Sequence, residues 1–137
     1  MTGTKNDLVN YRIARAKDTY DDASILAERE KWNSTINRLY YAAYYAVMAL
    51  LLDSDIKPTT HNGAKSNFSE YFIKTGKIDS KYGKMYSQLF TWRQKGDYDD
   101  LFDFHKDNVE PYFESVNDFI SMIDSIIQKN NNQALSE

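Results

Sequence analysis

Asn37-Arg38-Leu39-Tyr40-Tyr41-Ala42-Ala43-Tyr44-Tyr45-Ala46-Val47-Met48-Ala49-Leu50-Leu51-Leu52 is the stretch that decides the fold. From Leu39 to Leu52 it is apolar for fourteen residues without a break, short of the roughly 18 to 20 that a bilayer span needs. Ile36, Tyr40, Ala43, Val47 and Leu50 recur at the gaps of four and three that mark one stripe of a helix. The remaining positions are apolar too, so this helix has no solvent face and must be covered by its neighbours. It is the expected central element, with Asn33 or Ser34 as its N-cap. Ala42, Ala43, Ala46 and Ala49 let other helices come close.

Upstream, Val9, Ile13, Ala16, Tyr20, Ala23 and Ala27 keep the same spacing and predict an amphipathic helix from about Asp7 to Glu30. Downstream, Pro58 places a loop over Asp53 to Thr60, and His61-Asn62-Gly63 leads into a short helix that Gly76 should stop. Asp79 or Ser80 can cap a further helix with Tyr82, Tyr86, Leu89 and Arg93 on one face, and Gly96 is expected to end it. Asp107 and Glu110 have capping-box spacing, with Pro111 in a first turn that loses no hydrogen bond. The last stripe is Val109, Phe113, Val116, Ile120, Ile123 and Ile127, and the polar tail 130–137 should fray. No strand pattern or internal repeat is present. These elements predict one all-α domain over residues 1–137, an antiparallel bundle of four to five helices with an ordered core over about 7–129.

Composition agrees. The 137 residues have 42% hydrophobic content and a mean hydropathy of -0.68, and the twenty aromatic residues can fill a core. The absence of Cys excludes disulfides, thiolate zinc sites and a Cys nucleophile. Met1 to Asn10 lacks the cationic and apolar regions of a signal peptide, which makes a cytoplasmic location the expectation, with no membrane partner. Net charge is -3, but its distribution is uneven: residues 57–95 hold eight cations against two acids, and residues 96–137 hold two against ten. The basic middle is either a solvated helix face or a surface that meets phosphate.

The inventory of reactive groups is short. His61 and His105 are the only side chains whose ordinary pKa suits proton transfer near neutrality. His61 stands where a helix should begin, beside Asn62 and Gly63, and His105 stands among Asp103, Lys106 and Asp107. Two distant His and no H-E-x-x-H pattern leave no metal expected, and without a Gly-rich phosphate loop or a G-x-S-x-G elbow no cofactor is expected. Arg38 and Arg93 differ from the other cations because each interrupts an apolar helix face. Each therefore needs a partner, either an internal carboxylate such as Asp97 for Arg93, or a bound anion. The pairs Tyr40-Tyr41 and Tyr44-Tyr45 put one ring toward a packing partner and the next about 100° round, toward a groove or a subunit contact.

Asn37-Arg38-Leu39-Tyr40-Tyr41-Ala42-Ala43-Tyr44, then His61-x-Gly63, then Arg93-x-x-Gly96-Asp97-Tyr98 together resemble a HEPN domain, over about residues 12 to 128. The order of the three pieces is similar to that of stand-alone HEPN proteins found beside minimal nucleotidyltransferases. The resemblance implies a helical bundle, usually a homodimer, working in toxin-antitoxin or defence settings, with many members being metal-independent ribonucleases that use an R-x4-6-H motif. Arg93 matches the Arg of that motif, but the three permitted His positions hold Tyr98, Asp99 and Asp100. The resulting expectation is a domain that binds RNA or nucleotide phosphates and works with a nucleotidyltransferase partner, through Arg38, Tyr41, His61, Arg93, Asp97 and Tyr98. Two alternatives stand beside it. One is a ribonuclease in which Arg93 stabilises charge and His61, or His105 from a partner subunit, carries the proton; the other is a structural dimerisation module.

Overall fold

A computed structural model describes residues 4–99 and 102–136. Helix α1 spans Lys5–Glu28, α2 Trp32–Asp53, α3 His61–Phe68, α4 Ser80–Tyr98, α5 Lys106–Val109 and α6 Pro111–Ser136. A single π-helical turn, Ser69–Ile73, extends α3. The chain is thus an all-α bundle, with four long helices and two short ones among the described residues.

Helix α2 is the centre, as its composition requires. Ile36, Leu39, Ala42, Ala43, Ala46, Val47, Ala49, Leu50 and Leu51 are all fully buried, and α1, α3, α4 and α6 each pack on it. Val9, Ile13, Ala16 and Ala23 close one side from α1, and Val116, Phe119, Ile123 and Ile127 close another from α6. Phe119 meets Phe68, Tyr82 and Tyr86, so an aromatic cluster joins α3, α4 and α6.

The stripes place the helices well and their ends less well. Helix α1 starts at Lys5, before the expected boundary, because Thr4 and Asp7 form a reciprocal capping box. It stops at Glu28, where Lys31 N–H bonds Leu26 O and Glu30 adopts a left-handed φ of 58°. Neither Asn33 nor Ser34 caps α2, which begins at Trp32 without a side-chain cap. Asn33 bonds elsewhere, since its Nδ2 donates to Phe102 O at 3.0 Å and its Oδ1 accepts from Phe104 N at 2.8 Å. That clamp pins the connection after α4 against the start of α2.

Asp79 caps α4 as expected, but Gly96 does not end it. The helix continues to Tyr98, and the missing Cβ of Gly96 makes room for Phe104, whose Cε2 would stand only 3.1 Å from one. The capping box before the last helix is also displaced. Asn108 Oδ1, rather than Glu110, accepts a backbone N–H, that of His105, while Glu110 pairs with Lys106 at 3.6 Å. The tail does not fray after Lys129: α6 continues to Ser136, and Asn130 Nδ2 reaches back to Asp53 Oδ2 at 3.3 Å. Glu137 lies outside the described residues. No described helix is long and apolar enough to cross a membrane.

Candidate guanidinium and histidine site

Arg93 lies in the last two turns of α4, on the face turned toward α2, and its side chain is only 10% accessible. Its guanidinium carbon sits 4.9 Å above the Tyr40 ring and 5.9 Å from the Tyr41 ring. Stacking on aromatic rings is a stable way to cover a weakly hydrated guanidinium. Charge compensation is incomplete, however. The nearest carboxylate is Asp97 one turn on, at 3.9 Å from Nη1, too far for a hydrogen bond, and the buried Nε has no partner. Both sequence readings of Arg93 therefore have a part: it faces an internal carboxylate, and that carboxylate leaves it largely unpaired.

Asp97 is itself held. Asn37 Nδ2 donates to both of its carboxylate oxygens, at 3.3 and 3.2 Å, while Asn37 Oδ1 accepts from Arg38 Nε at 3.1 Å and from Arg38 Nη2 at 2.7 Å. Arg38 rests 5.0 Å above the Tyr41 ring. Asn37 is thus a bridge: its carbonyl oxygen orients one guanidinium, and its amide orients the acid that faces the other. Arg38, Asn37 and Asp97 also line an open cavity of about 420 Å3, together with Asn33 and Ser34 at the start of α2.

His61 approaches the same group from the start of α3, where Thr60 caps the helix through Gly63 N–H at 2.8 Å. Its Nδ1 lies 2.8 Å from the Tyr40 hydroxyl, and its ring stacks on Tyr44 at 4.3 Å between centroids. Burial, and then the charge of Arg93, holds the His61 pKa below its ordinary value, which favours the neutral ring. Burial also pushes the Tyr40 hydroxyl up to about 12, so Tyr40 stays protonated at neutral pH. When Tyr40 donates to Nδ1, the proton of neutral His61 sits on Nε2. Tyr86, deep beside Tyr40, is likewise raised well above its ordinary value, by burial first and then by the neighbouring Tyr40 hydroxyl.

Of the six residues named from sequence, the structure gathers Arg38, Tyr41, His61, Arg93 and Asp97 around the Tyr40 ring and its neighbours. Tyr98 stands apart at the end of α4 with 75% of its surface exposed. His105 is not brought to the group; it is exposed at the start of α5. Asp99 is the C-cap of α4, and Asp100 lies outside the described residues. Sequence reasoning gave no role to Asn37, whose contact with Asp97 joins α2 to α4 across sixty positions. Of the Tyr pairs, Tyr40 packs in the core yet turns its hydroxyl to His61, and Tyr44 is half-buried and stacks on the same ring. Among the described residues no three His, Asp or Glu side chains come together as a metal site would require.

The sequence model of the HEPN domain family matches residues 9–126, a span that runs from the first core residue of α1 into α6 and includes every residue of this group. The chain belongs to the HEPN domain family. Relatives of this HEPN chain occur in distant prokaryotes. It is 36% identical over 124 residues to a UPF0332 protein of Thermotoga maritima, covering 90% of this chain and 94% of that one. It is 31% identical over 98 residues to the Methanocaldococcus jannaschii protein named "Putative toxin MJ0142", covering 72% of this chain and 67% of the other. A second protein of that organism, "Putative toxin MJ0605", is 33% identical over 86 residues, or 63% of this chain and 64% of its own.

Proposed function

We propose that this HEPN domain is a toxin-like module that grips the phosphates of RNA or a nucleotide at the Arg93 and Arg38 guanidinium groups. One observation carries the reading: a nearly buried arginine, stacked on Tyr40, has one carboxylate within 4 Å among the described residues, Asp97 at 3.9 Å, and its Nε has no hydrogen-bond partner among them. An under-neutralised guanidinium in a partly desolvated place attracts a phosphate oxygen more strongly than a hydrated cation does. Arg38, fixed by Asn37 at the edge of the open cavity, supplies the second positive group, and Tyr41 lies between the two. The relatives with toxin names support the biological side of the reading. In this account the domain works with a nucleotidyltransferase partner that acts on it or neutralises it, most simply as a homodimer in the cytoplasm.

A second reading, metal-independent RNA cleavage, is favoured by the position of His61. The motif His is absent after Arg93 in sequence, yet a neutral imidazole near Arg93 is held by the Tyr40 hydroxyl. Arg93 would stabilise the charged phosphorane while His61 takes the proton of the ribose 2′-hydroxyl as its oxygen bonds to phosphorus; the P–O5′ bond breaks and the 5′-oxygen leaves with a proton from water. Purified protein incubated with RNA and EDTA separates the two readings. Cleavage that is lost in both Arg93→Ala and His61→Ala establishes the ribonuclease. Retention of RNA on a filter without cleavage establishes the binding module, and neither retention nor cleavage contradicts both. Mixing the chain with a purified nucleotidyltransferase encoded beside it tests the partner: a stable complex or a covalent change in mass is expected.

A further inference from the structure

A groove of about 560 Å3 runs between α3, with its π turn, and α4. None of Arg38, Tyr41, His61, Arg93 and Asp97 lines it, while Tyr86, which stacks on Tyr40, is on its wall. Phe68, Ile73 and Tyr86 supply its apolar side, and Lys65 and Lys84 stand on it as cations. Gly83 lets the π turn lie directly on α4, since a Cβ there would be 3.2 Å from Ile73 Cγ1. The π turn itself is the one departure from α geometry inside a described helix, a feature often found where a surface is used.

The charge around this groove is unbalanced. Lys65, Lys74, Lys77, Lys81 and Lys84 form no ion pair among the described residues, whereas Lys5, Lys17 and Lys106 each have a carboxylate within 4 Å. Lys65, Lys77 and Lys81 set their ammonium nitrogens over the Phe90, Phe72 and Tyr82 rings, at 5.0, 5.9 and 5.1 Å from the centroids. In sequence, residues 57–95 carry eight cations against Glu70 and Asp79 alone, in a chain whose net charge is -3. Lys65 and Lys84, on the groove and without an ion pair among the described residues, are complementary to a ligand that is acidic on one side and apolar on the other.

We propose that this groove docks an acidic amphipathic segment of a partner protein. An aliphatic side chain lies over Ile73 and Gly83, and carboxylates range themselves against Lys65 and Lys84. The groove suits a peptide better than a nucleic acid. Phe68 and Tyr86 are each 1% exposed and are packed against one another and Phe119, so no ring face is free to stack on a base. The rim cations are point charges without the fork that grips phosphate in two places.

The test uses the full chain and three labelled probes. They are a helix-forming peptide of roughly four turns with a Leu stripe and Glu elsewhere, the same peptide with Ser replacing Leu, and oligouridylate of matched charge. The Leu peptide is expected to bind, at least about tenfold more tightly than the Ser peptide, and to lose about tenfold in the Lys65→Glu, Lys84→Glu double variant while Arg93→Ala leaves it unchanged. Both lysines lie outside the core, so the variant keeps its fold, as circular dichroism would show. Equal binding of the Leu and Ser peptides, or indifference to the charge reversals, overturns the proposal. Preferential loss of oligouridylate in the double variant assigns the groove to nucleic acid and overturns it equally. Sedimentation provides the last arm: self-association abolished by the double variant would make a second copy the occupant and exclude a separate partner segment.

Discussion

Helix α4 meets cations of two chemical kinds on its two sides. Toward α2, Arg93 is nearly buried, stacked on Tyr40 and incompletely neutralised; toward α3, Lys65 and Lys84 stand at an apolar groove with no carboxylate partners. The difference follows from the side chains. A planar, delocalised guanidinium tolerates desolvation against an aromatic ring, so Arg93 is nearly buried, whereas Lys84 is an exposed point charge and Lys65 rests its ammonium over Phe90. In the reading proposed above, the first side is the one that grips a small anion. The other is an electrostatic field around a hydrophobic slot, suited to a larger and more adaptable surface.

The largest perturbation acts through the helix that both sides share. Leu89 is fully buried on α4. Leu89→Ala should lower unfolding free energy by about 2 to 5 kcal/mol, measured by urea denaturation, and weaken both binding activities only in proportion to the unfolded fraction. Asn37→Ala discriminates between the sides. It releases Arg38 and Asp97 together, so stability should fall by about 1 kcal/mol while RNA affinity falls severalfold and affinity for the acidic peptide stays constant. Equal losses for the two ligands would mean that the two sides of α4 are coupled.

Tyr40→Phe acts within the arginine side alone. The ring and the seat of Arg93 survive, but His61 Nδ1 loses its partner, at about 1 kcal/mol by the same denaturation measurement. RNA retention should persist and any cleavage should drop, which separates gripping phosphate from moving a proton.

The smallest effect is a pH dependence confined to the arginine side. The His61 pKa is below its ordinary value in the folded state, so the unfolded chain binds more protons between that lowered value and about 6.5. Its contribution to stability is complete above about pH 6.5 and is lost as pH falls toward the folded value. The urea midpoint of the wild type should therefore fall more between about pH 7.5 and about pH 5.5 than that of His61→Gln. Parallel curves would remove His61 from the desolvated group.

How much of this was legible beforehand depends on the range of the interactions. The helices were, because burial of α2 and the stripes of α1, α4 and α6 are written in spacings of three and four residues. Their ends were not. Asn33 looks like a cap in sequence, yet it is drawn away by Phe102 and Phe104, about seventy positions downstream. Gly96 looks like a stop, yet it serves Phe104. Arg38 and Arg93 stood out because a cation on an apolar face demands a partner. The bridge through Asn37 and the bond between Tyr40 and His61 were hidden, because they join helices whose register only packing decides.

The most direct measurement is the affinity of wild type, Arg93→Ala and Lys84→Ala for one short single-stranded RNA across a salt series. If the guanidinium over Tyr40 is the anion-gripping group, Arg93→Ala should weaken binding at least about tenfold and flatten the salt dependence by about one phosphate contact, while Lys84→Ala stays within about twofold. Equal affinities for wild type and Arg93→Ala at every salt concentration would contradict it, and would leave Arg93 as packing between α2 and α4.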